Sequence, residues 1–420
     1  MKILNTIFLL LFVCVEVCAQ GTNTYTDTDG YFVYEDEACT IISGVTENGR
    51  GYIKNPELGN GSITIPSRVT IVRKGTFGDL HYNGVQLKSL IMGGGNPYFE
   101  KADSQTEASA LDEAGRDDGV QSNLITIDMG NGMSAENMLA LLLCLESKPK
   151  SLESVEIGGN VASINWTSDS IKGVLTADVK VVVPATMVTN QVFGDAKVYG
   201  LFETAYDYST TCVGATYIDK NDGSNMLFYV PTETQTVEGV KKARFNRVHY
   251  IIANEGLLIH HAPNTATRAE LERIDNLASY KEDLTDADKV VYKRDSANYK
   301  KNMLVGSVNA QTINAKDGDY TNMILYNGSF IPTSGGTLGA NKAYLKVPTS
   351  YLNGVSGAKL MMSFDNETGG ETTGIHSVEN VKLTIDNEDG VWYTLDGRKL
   401  IGKPTQKGVY IHDGTKVAIR

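Results

Sequence analysis

A short apolar pattern recurs along the first half of the chain. Its core is apolar-x-x-apolar-x-apolar, followed by Gly or Pro, as in Leu87, Leu90, Met92 and Gly93. Alternating apolar positions of this kind predict a short strand with one buried face. The other copies are Leu124, Ile127, Met129 and Gly130; Leu152, Val155, Ile157 and Gly158; and, without the first Leu, Ile63, Ile65 and Pro66, and Val181, Val183 and Pro184.

The spacing of these copies indicates a repeat architecture. Counted between Ile65, Met92, Met129, Ile157 and Val183, the steps are 27, 37, 28 and 26 residues. All but the second fall within the period of leucine-rich repeats, which is roughly 20 to 29 residues. Because one such unit cannot bury its apolar face alone, neighbouring units must stack. The sequence therefore predicts a leucine-rich-repeat-like solenoid over residues 20–203.

Two segments of the first half depart from the repeat. Residues 96–120 contain seven acidic side chains and almost no apolar periodicity, which indicates an inserted acidic loop. Residues 134–145 begin with Ser134, a good N-cap, and are apolar around most of a helix circumference. We expect this helix to be buried across the back of the repeats.

The second half is predicted to be a β-sandwich-like domain over residues 204–372. One helix is expected in it, over 269–281, where apolar residues follow helical spacing. Asn327-Gly328 and Asn254-Glu255-Gly256 are typical hairpin connectors. The predicted strands are Met226 to Val230, Val248 to Ala253, Gly256 to His260, Met323 to Leu325, Ala343 to Val347 and Lys359 to Phe364.

The end of the chain has a different character. Residues 366–373 are polar and Gly-rich, which is typical of a linker. Beyond them, Trp392-Tyr393-Thr394-Leu395, Val409-Tyr410-Ile411 and Val417-Ala418-Ile419 alternate with Asp-Gly turns. Residues 373–420 are therefore expected to form a small β-hairpin module.

The first nineteen residues predict export. Lys2 supplies a basic start, residues 7–15 are apolar, and Val17 and Ala19 suit a signal peptidase that cuts after Ala19. Cys18 follows Val17, where a lipoprotein signal usually has Gly, Ala or Ser, so a lipid anchor is the less favoured reading. The later sequence contains no apolar run of the length that a membrane helix needs.

Composition narrows the class of partner. The formal charge of −12 and the lack of a Lys/Arg cluster argue against nucleic acid or an anionic membrane. After removal of the signal peptide, Cys39, Cys144 and Cys212 are an odd and scattered set, which favours buried thiols over a disulfide framework.

Two stretches resemble known families. The Ile63-Thr64-Ile65-Pro66-Ser67 strand, followed by Gly75-Thr76-Phe77, is similar to the BspA-like leucine-rich repeats of bacterial surface proteins, over about residues 30–203. The tail from Trp392 to Lys399, with Pro404 to Ile411, resembles the Por-type C-terminal modules that sort secreted proteins. Both resemblances imply a role at the cell surface or outside the cell, in the outer envelope of a Gram-negative bacterium. They imply attachment or protein binding and name no target.

No catalytic, cofactor or metal residues are predicted. His260 and His261 are adjacent on a predicted strand and therefore face opposite sides of a sheet. Most acidic residues lie in turns, and the sequence contains neither a His-Glu-x-x-His nor a Gly-x-Ser-x-Gly motif. The segments 27–30 and 219–223 resemble partial calcium loops, yet neither has the distant bidentate Glu.

The sequence thus predicts a mainly β, secreted or cell-surface binding and adhesion protein that is not an enzyme. Its repeat face would bind a protein or a glycan of unknown identity through exposed Tyr and polar side chains. One alternative is a glycan-binding protein or weak hydrolase of a polysaccharide-uptake system, in which Trp166 and Trp392 are the only indoles for sugar stacking. Another is a structural subunit of a surface assembly.

Overall fold

A computed structural model describes the chain in two compact units, Met1–Thr373 and Gly374–Arg420. The predicted signal peptide and the linker 366–373 lie outside the described residues, as does the side chain of Trp392. The described residues are 24–78, 80, 84–101, 110–111, 124–145, 152–158, 166, 171–187, 193–220, 226–261, 268–352 and 359–365, and the backbone of 392–394, 399–400, 408–412 and 415–419.

The described chain is mainly β, as predicted. The first strands are β1 (Phe32–Tyr34), β2 (Ile41–Val45), β3 (Ser62–Ile65), β4 (Ile71–Val72), β5 (Ser89–Met92), β6 (Tyr98–Phe99), β7 (Thr126–Asp128), β8 (Ser154–Glu156), β9 (Lys180–Pro184) and β10 (Lys197–Glu203). They are followed by β11 (Tyr208–Cys212), β12 (Thr216–Ile218), β13 (Met226–Val237), β14 (Val240–Arg247), β15 (Tyr250–Ile251), β16 (Gly256–His261) and β17 (Arg268–Ile274).

The remaining strands of the first unit are β18 (Leu304–Ser307), β19 (Gln311–Ile313), β20 (Lys316–Asp317), β21 (Tyr320–Tyr326), β22 (Ser329–Pro332), β23 (Gly336–Leu338), β24 (Lys342–Pro348) and β25 (Met361–Asp365). The helices are α1 (Glu47–Lys54), α2 (Ala135–Leu143), α3 (Leu277–Glu282), α4 (Asp286–Tyr299) and α5 (Thr349–Leu352). In the second unit, β26 (Trp392–Thr394), β27 (Lys399–Leu400), β28 (Gly408–His412) and β29 (Thr415–Ile419) form one antiparallel sheet in the order β27-β26-β28-β29.

The repeat strands pair side by side in one nine-stranded sheet. Its order is β15-β12-β17-β10-β9-β8-β7-β5-β3. From β3 to β10 the strands are parallel and follow chain order, with Ile63 opposite Leu90, Leu90 opposite Ile127, and Ile127 opposite Val155. β17, β12 and β15 extend the sheet antiparallel. The predicted boundary between 203 and 204 therefore falls within one sheet.

A smaller sheet, β1-β2-β4-β6, faces the parallel strands across a shared core. The helix predicted over 134–145 is confirmed as α2: the Ser134 side chain accepts a hydrogen bond from the backbone N–H of Asn137, and Met138, Leu141 and Leu142 are buried. The Cys144 sulfur beyond it lies 3.5 Å from the carbonyl oxygen of Phe99 in β6. The helix therefore lies on the side of the repeats that the small sheet occupies.

Two further sheets enclose a second core. One has the order β11-β16-β13-β14-β25, and the other pairs β18, β24, β21, β20 and β22. Buried residues from both, such as Phe245, Phe330 and Leu345, form one cluster. The Asn327-Gly328 hairpin prediction is confirmed, because both residues have positive φ (44° and 70°) and join β21 to β22.

Some predictions for irregular regions were wrong. Residues 96–120 are not one inserted loop, since they contain β6, which pairs with β4, and the buried Ala110 and Leu111. Phe99, Ala110 and Leu111 are buried in the first core, whereas residues 102–109 and 112–120 lie outside the described residues. Asn254-Glu255-Gly256 is not a hairpin, because β15 and β16 belong to different sheets.

The prediction of a helix over 269–281 was also wrong for its first part, because those residues form β17. Leu271 and Ile274 have helical spacing, but Ala269 and Leu271 also alternate with Glu270 and Glu272. Pairing with β10 and β12 selects the strand. Among the described residues, no helix is both long and apolar enough to cross a membrane.

Candidate functional site

A concave site lies where the parallel strands end. We call it the strand-end groove, and its volume is about 770 Å³, within the usual range for ligand pockets. It crosses the ends of β5, β7, β8, β9 and β10 and the start of β17. Its lining residues are Met92, Gly94, Asp128, Gly130, Asn131, Glu156, Ile157, Gly158, Pro184, Thr186, Leu201, Glu203 and Arg268.

Strand alternation aims the charged residues outward. In β7 and β8, Ile127 and Val155 are buried, so the next residues, Asp128 and Glu156, point to the opposite face. The parallel register places Asp128 directly opposite Glu156. Two carboxylates from neighbouring repeats therefore lie side by side in the groove.

Arg268 ties several carboxylates together at the far end. β17 runs antiparallel to β10, which places Arg268 opposite Glu203, and their nearest charged atoms are 3.8 Å apart. Both terminal nitrogens of Arg268 donate to the carboxylate of Glu156, and Nη2 also donates to Glu270 at 3.2 Å. These hydrogen bonds raise the pKa of Arg268, which is therefore charged throughout the physiological range.

Glu270 extends this network to a second cation. Its Oε2 accepts a hydrogen bond from Lys180 Nζ at 2.5 Å. Burial opposes ionisation of Glu270, but the bonds from Lys180 and Arg268 outweigh burial and hold its pKa below the usual value. Lys180 also lies 5.6 Å from the ring centre of Tyr199. The end of the groove at Arg268 is thus held in a fixed arrangement of charges.

Among the described residues, Asp128 accepts fewer hydrogen bonds than the neighbouring carboxylate of Glu156. Its Oδ1 accepts a hydrogen bond from the backbone N–H of Gly130 at 2.8 Å. Within the part of the chain that the structure describes, Oδ2 accepts no hydrogen bond and no cationic side chain lies within 4 Å of this carboxylate. Asp128 is therefore positioned by the backbone and still open to a ligand.

Glycine forms the floor between the carboxylates. Two positions beyond the row in which Ile91, Asp128 and Glu156 pair, Gly93, Gly130 and Gly158 form a column across the repeats. A Cβ on Gly130 would lie 2.6 Å from the carbonyl oxygen of Met92, and one on Gly158 only 1.3 Å from that of Gly130. The repeats approach too closely here for any side chain, which leaves the groove floor open.

A row of hydroxyl groups lies on the same outward face. Ser62, Ser89, Thr126 and Ser154 occupy matching positions in β3, β5, β7 and β8. Thr126 Oγ1 donates to Ser89 Oγ at 2.8 Å. From β3 to β8 this row therefore carries short hydroxyl side chains, and Lys180 takes the matching position in β9.

The histidine pair does not form part of this groove. The His260 ring stacks on Tyr208 with ring centres 4.5 Å apart and also lies 5.7 Å from Phe364. Burial, followed by the neighbouring His261, lowers the pKa of His260. His261 is buried. Within the described residues, no group of three or more His, Cys, Asp and Glu side chains is placed to hold a metal ion.

Asp27, in the partial calcium loop at 27–30, accepts hydrogen bonds from other residues of the protein. Asp27 Oδ1 accepts from the backbone N–H of Gly30, and Oδ2 accepts from Tyr34 and Arg68. Asp27 thus closes a turn over the end of the first core. Residues 221–223 of the other candidate loop lie outside the described residues. The described cysteines Cys39, Cys144 and Cys212 form no disulfide.

The aromatic side chains that the sequence offered for ligand binding do not line the groove, as far as the structure describes them. Trp166 is only 6% exposed, stacks edge-on against Phe193 at 5.8 Å, and donates to the carbonyl oxygen of Ala135. Of the exposed tyrosines, Tyr98 lies in β6, Tyr206 in a turn, and Tyr320 and Tyr326 at the two ends of β21, and the described groove lining includes none of them. Charged side chains, rather than exposed Tyr, dominate this site.

The sequence reasoning missed the groove, although part of its signal was present. Asp128 and Glu156 occupy the same position of two repeat copies, between the last two apolar residues. Comparison of the chain with models of known protein families, with curated proteins and with solved structures gave no match.

Proposed function

We propose that the chain is an exported, non-catalytic binding protein that works at the surface of a bacterial cell or outside it. In this proposal residues 20–203 form a leucine-rich-repeat-like solenoid and residues 204–372 a β-sandwich-like domain. The module at 373–420 would serve sorting or attachment. The ligand would dock on the outward face of the parallel strands.

The strand-end groove is the observation that carries this proposal. Repeat proteins commonly bind ligands on the surface that their stacked strands present together. Here the groove collects side chains from six strands, and three of its charged groups, Asp128, Glu156 and Glu203, are the last residues of their strands. Rigid strands hold these groups in place, which lowers the entropy lost when a ligand binds.

The arrangement of charges favours recognition over catalysis. Acid–base hydrolysis by paired carboxylates uses groups that can exchange protons with the substrate. Glu156 is instead held by both terminal nitrogens of Arg268, in a bidentate pair that fixes its position. Such a pair supports a binding surface.

A variant in which a large side chain blocks the strand-end groove tests whether the ligand binds there. The mature chain, residues 20–420, would be immobilised and exposed to arrays of extracellular-matrix proteins and of oligosaccharides. Thr186 is exposed at the groove, so Thr186→Trp should fill the groove without disturbing the core. Thr337 is equally exposed but lies in β23, far along the chain from the repeats, so Thr337→Trp is the matched control.

The expected result is a ligand that binds the unmodified chain and the Thr337→Trp variant and is lost with Thr186→Trp. A chain that binds nothing on either array would contradict the proposal. So would a ligand whose binding ignores Thr186→Trp, because its site would then lie elsewhere.

A further inference from the structure

We propose that the strand-end groove binds a basic segment of a partner protein, with a Lys or Arg side chain of that partner placed against Asp128. This inference rests on the proposed function and names its ligand class. It is drawn from the charge, the open carboxylate and the apolar contacts of the groove.

The charge of the groove favours a positively charged ligand. Its described lining has three carboxylates, Asp128, Glu156 and Glu203, against one guanidinium, Arg268, which leaves a formal excess of two negative charges. Arg268 is already bonded to Glu156 and Glu270 and lies close to Glu203. It is thus compensated and offers little to an anionic ligand. Complementary charge sets both specificity and the rate of encounter.

Asp128 marks where the ligand cation would lie. It is the lining carboxylate without a cation within 4 Å among the described residues, and its Oδ2 accepts no hydrogen bond from them. The side chain is held through Oδ1 by Gly130, so little freedom is lost on binding. A ligand ammonium or guanidinium would complete the charge pairing that Arg268 supplies at Glu156.

The apolar part of the lining fits the same ligand. The side chains of Met92 and Ile157 are buried in the core, but Pro184 and Leu201 are half-buried and lie beside the carboxylates. Lys and Arg combine an apolar stem with a charged head, so their stems can pack on such residues while the head reaches a carboxylate. The described lining has no aromatic ring on which the apolar face of a sugar could stack. The groove therefore suits a basic peptide better than a neutral glycan.

Two isosteric variants distinguish binding in the groove from attraction by the net charge of the protein. Asp128→Asn and Asp319→Asn each remove one negative charge, and Asn keeps the oxygen that accepts from Gly130. Asp319 is exposed in the turn between β20 and β21, so it is the matched control. The probe is a short fluorescein-labelled peptide of alternating Lys and Ser, with a Gln-Ser peptide as the neutral control. Binding to the full mature chain is followed by fluorescence anisotropy.

The Lys peptide should bind, and the Gln peptide should not. Asp128→Asn should weaken binding of the Lys peptide about fivefold, the effect of one partly exposed ion pair, whereas Asp319→Asn should leave it unchanged. Raising the NaCl concentration from about 0.1 M to about 1 M should abolish the difference.

Equal losses with both variants would mean attraction by net charge alone and would overturn the inference. Failure of the Lys peptide to bind would overturn it too. If an oligosaccharide binds and Thr186→Trp removes that binding, the basic-ligand inference fails while the proposed function stands. If neither the peptide nor any array ligand binds, both fail.

Discussion

At the scale of single residues, the turn glycines explain why the repeat has its particular form. Gly93, Gly130 and Gly158 follow the last apolar residue of their copies, and Pro66 and Pro184 take the same place in the outermost copies. The recurrence of Gly or Pro at this position can be seen in the sequence. Its physical reason is that the backbone of one repeat lies against the backbone of the next, which becomes visible only when the strand pairing is known.

The first prediction concerns Gly158. A Cβ there would lie 1.3 Å from the carbonyl oxygen of Gly130, which is backbone and cannot rotate away. Gly158→Ala should therefore force two repeats apart and lower the free energy of unfolding by about 3 kcal/mol. Urea denaturation followed by far-UV circular dichroism measures this loss.

Gly51→Ala is the control for that prediction. Gly51 lies within α1, and a Cβ there would contact nothing within 4 Å. Alanine in a helix is more favourable than glycine by about 1 kcal/mol, so this variant should be more stable than the parent. Equal stabilities of the Gly158→Ala and parent chains would show that the repeats are not packed as described.

Individual site residues were predictable only in part. Asp128 and Glu156 stand at one position of the repeat, so their proximity follows once the repeat is recognised. Arg268 could not be placed, because its contact with Glu156 spans 112 residues and depends on β17 pairing with β10. Sequence patterns specify which face a residue takes on a strand. They do not specify which distant strand lies beside it.

At the scale of elements, α4 shows how a helix without a strong apolar face is held. One of its side chains, Asp295, is buried, and its carboxylate accepts hydrogen bonds from the backbone N–H groups of His249 at 2.7 Å and Tyr250 at 3.1 Å. Burial raises the pKa of Asp295. Tyr299, at the end of the helix, accepts from the N–H of Ile252. The helix is thus fastened to β15 by polar contacts.

The second prediction follows from this attachment. Asp295→Ala would leave two buried backbone N–H groups without their acceptor, which should cost about 3 kcal/mol. The effect should concentrate in α4, seen as faster amide hydrogen exchange across residues 286–299. Asp286→Ala changes a fully exposed carboxylate of the same helix and should leave amide exchange in α4 nearly unchanged. Unchanged exchange in α4 after Asp295→Ala would exclude this anchoring role.

Elements were predictable where local pattern and tertiary pairing agree. The repeat strands and α2 have clear apolar spacing and appear as expected. β17 fits both a helical and an alternating pattern, and its neighbours in the sheet decide the outcome. α4 escaped prediction because its apolar residues are few and its anchor is a carboxylate. Competing local preferences and polar anchoring therefore account for the errors.

At the scale of the molecule, one apolar cluster joins the repeats to the strands that follow. Phe202, in β10, the last of the parallel strands, packs edge-on against Tyr217 at 5.4 Å and against Phe228 at 5.1 Å. The same cluster includes Ala185 from the turn after β9 and Leu271 from β17. Since the nine-stranded sheet also continues across residue 203, the two halves of this unit share both backbone pairing and core.

The last prediction is that these halves unfold together. Trp166 reports on the repeats, and replacing Trp392 with Phe leaves it as the only indole, since the chain has two. In that background Phe228→Ala should cost about 4 kcal/mol, because Phe228 is completely buried. The urea midpoint of the Trp166 fluorescence transition should fall as far as the midpoint of the far-UV circular dichroism transition, although residue 228 lies outside the repeats.

Val240→Ala, at an exposed hairpin tip, is the control and should shift neither midpoint. If Phe228→Ala leaves the Trp166 transition in place, the shared cluster does not couple the halves, and the repeats are stable without the strands that extend their sheet.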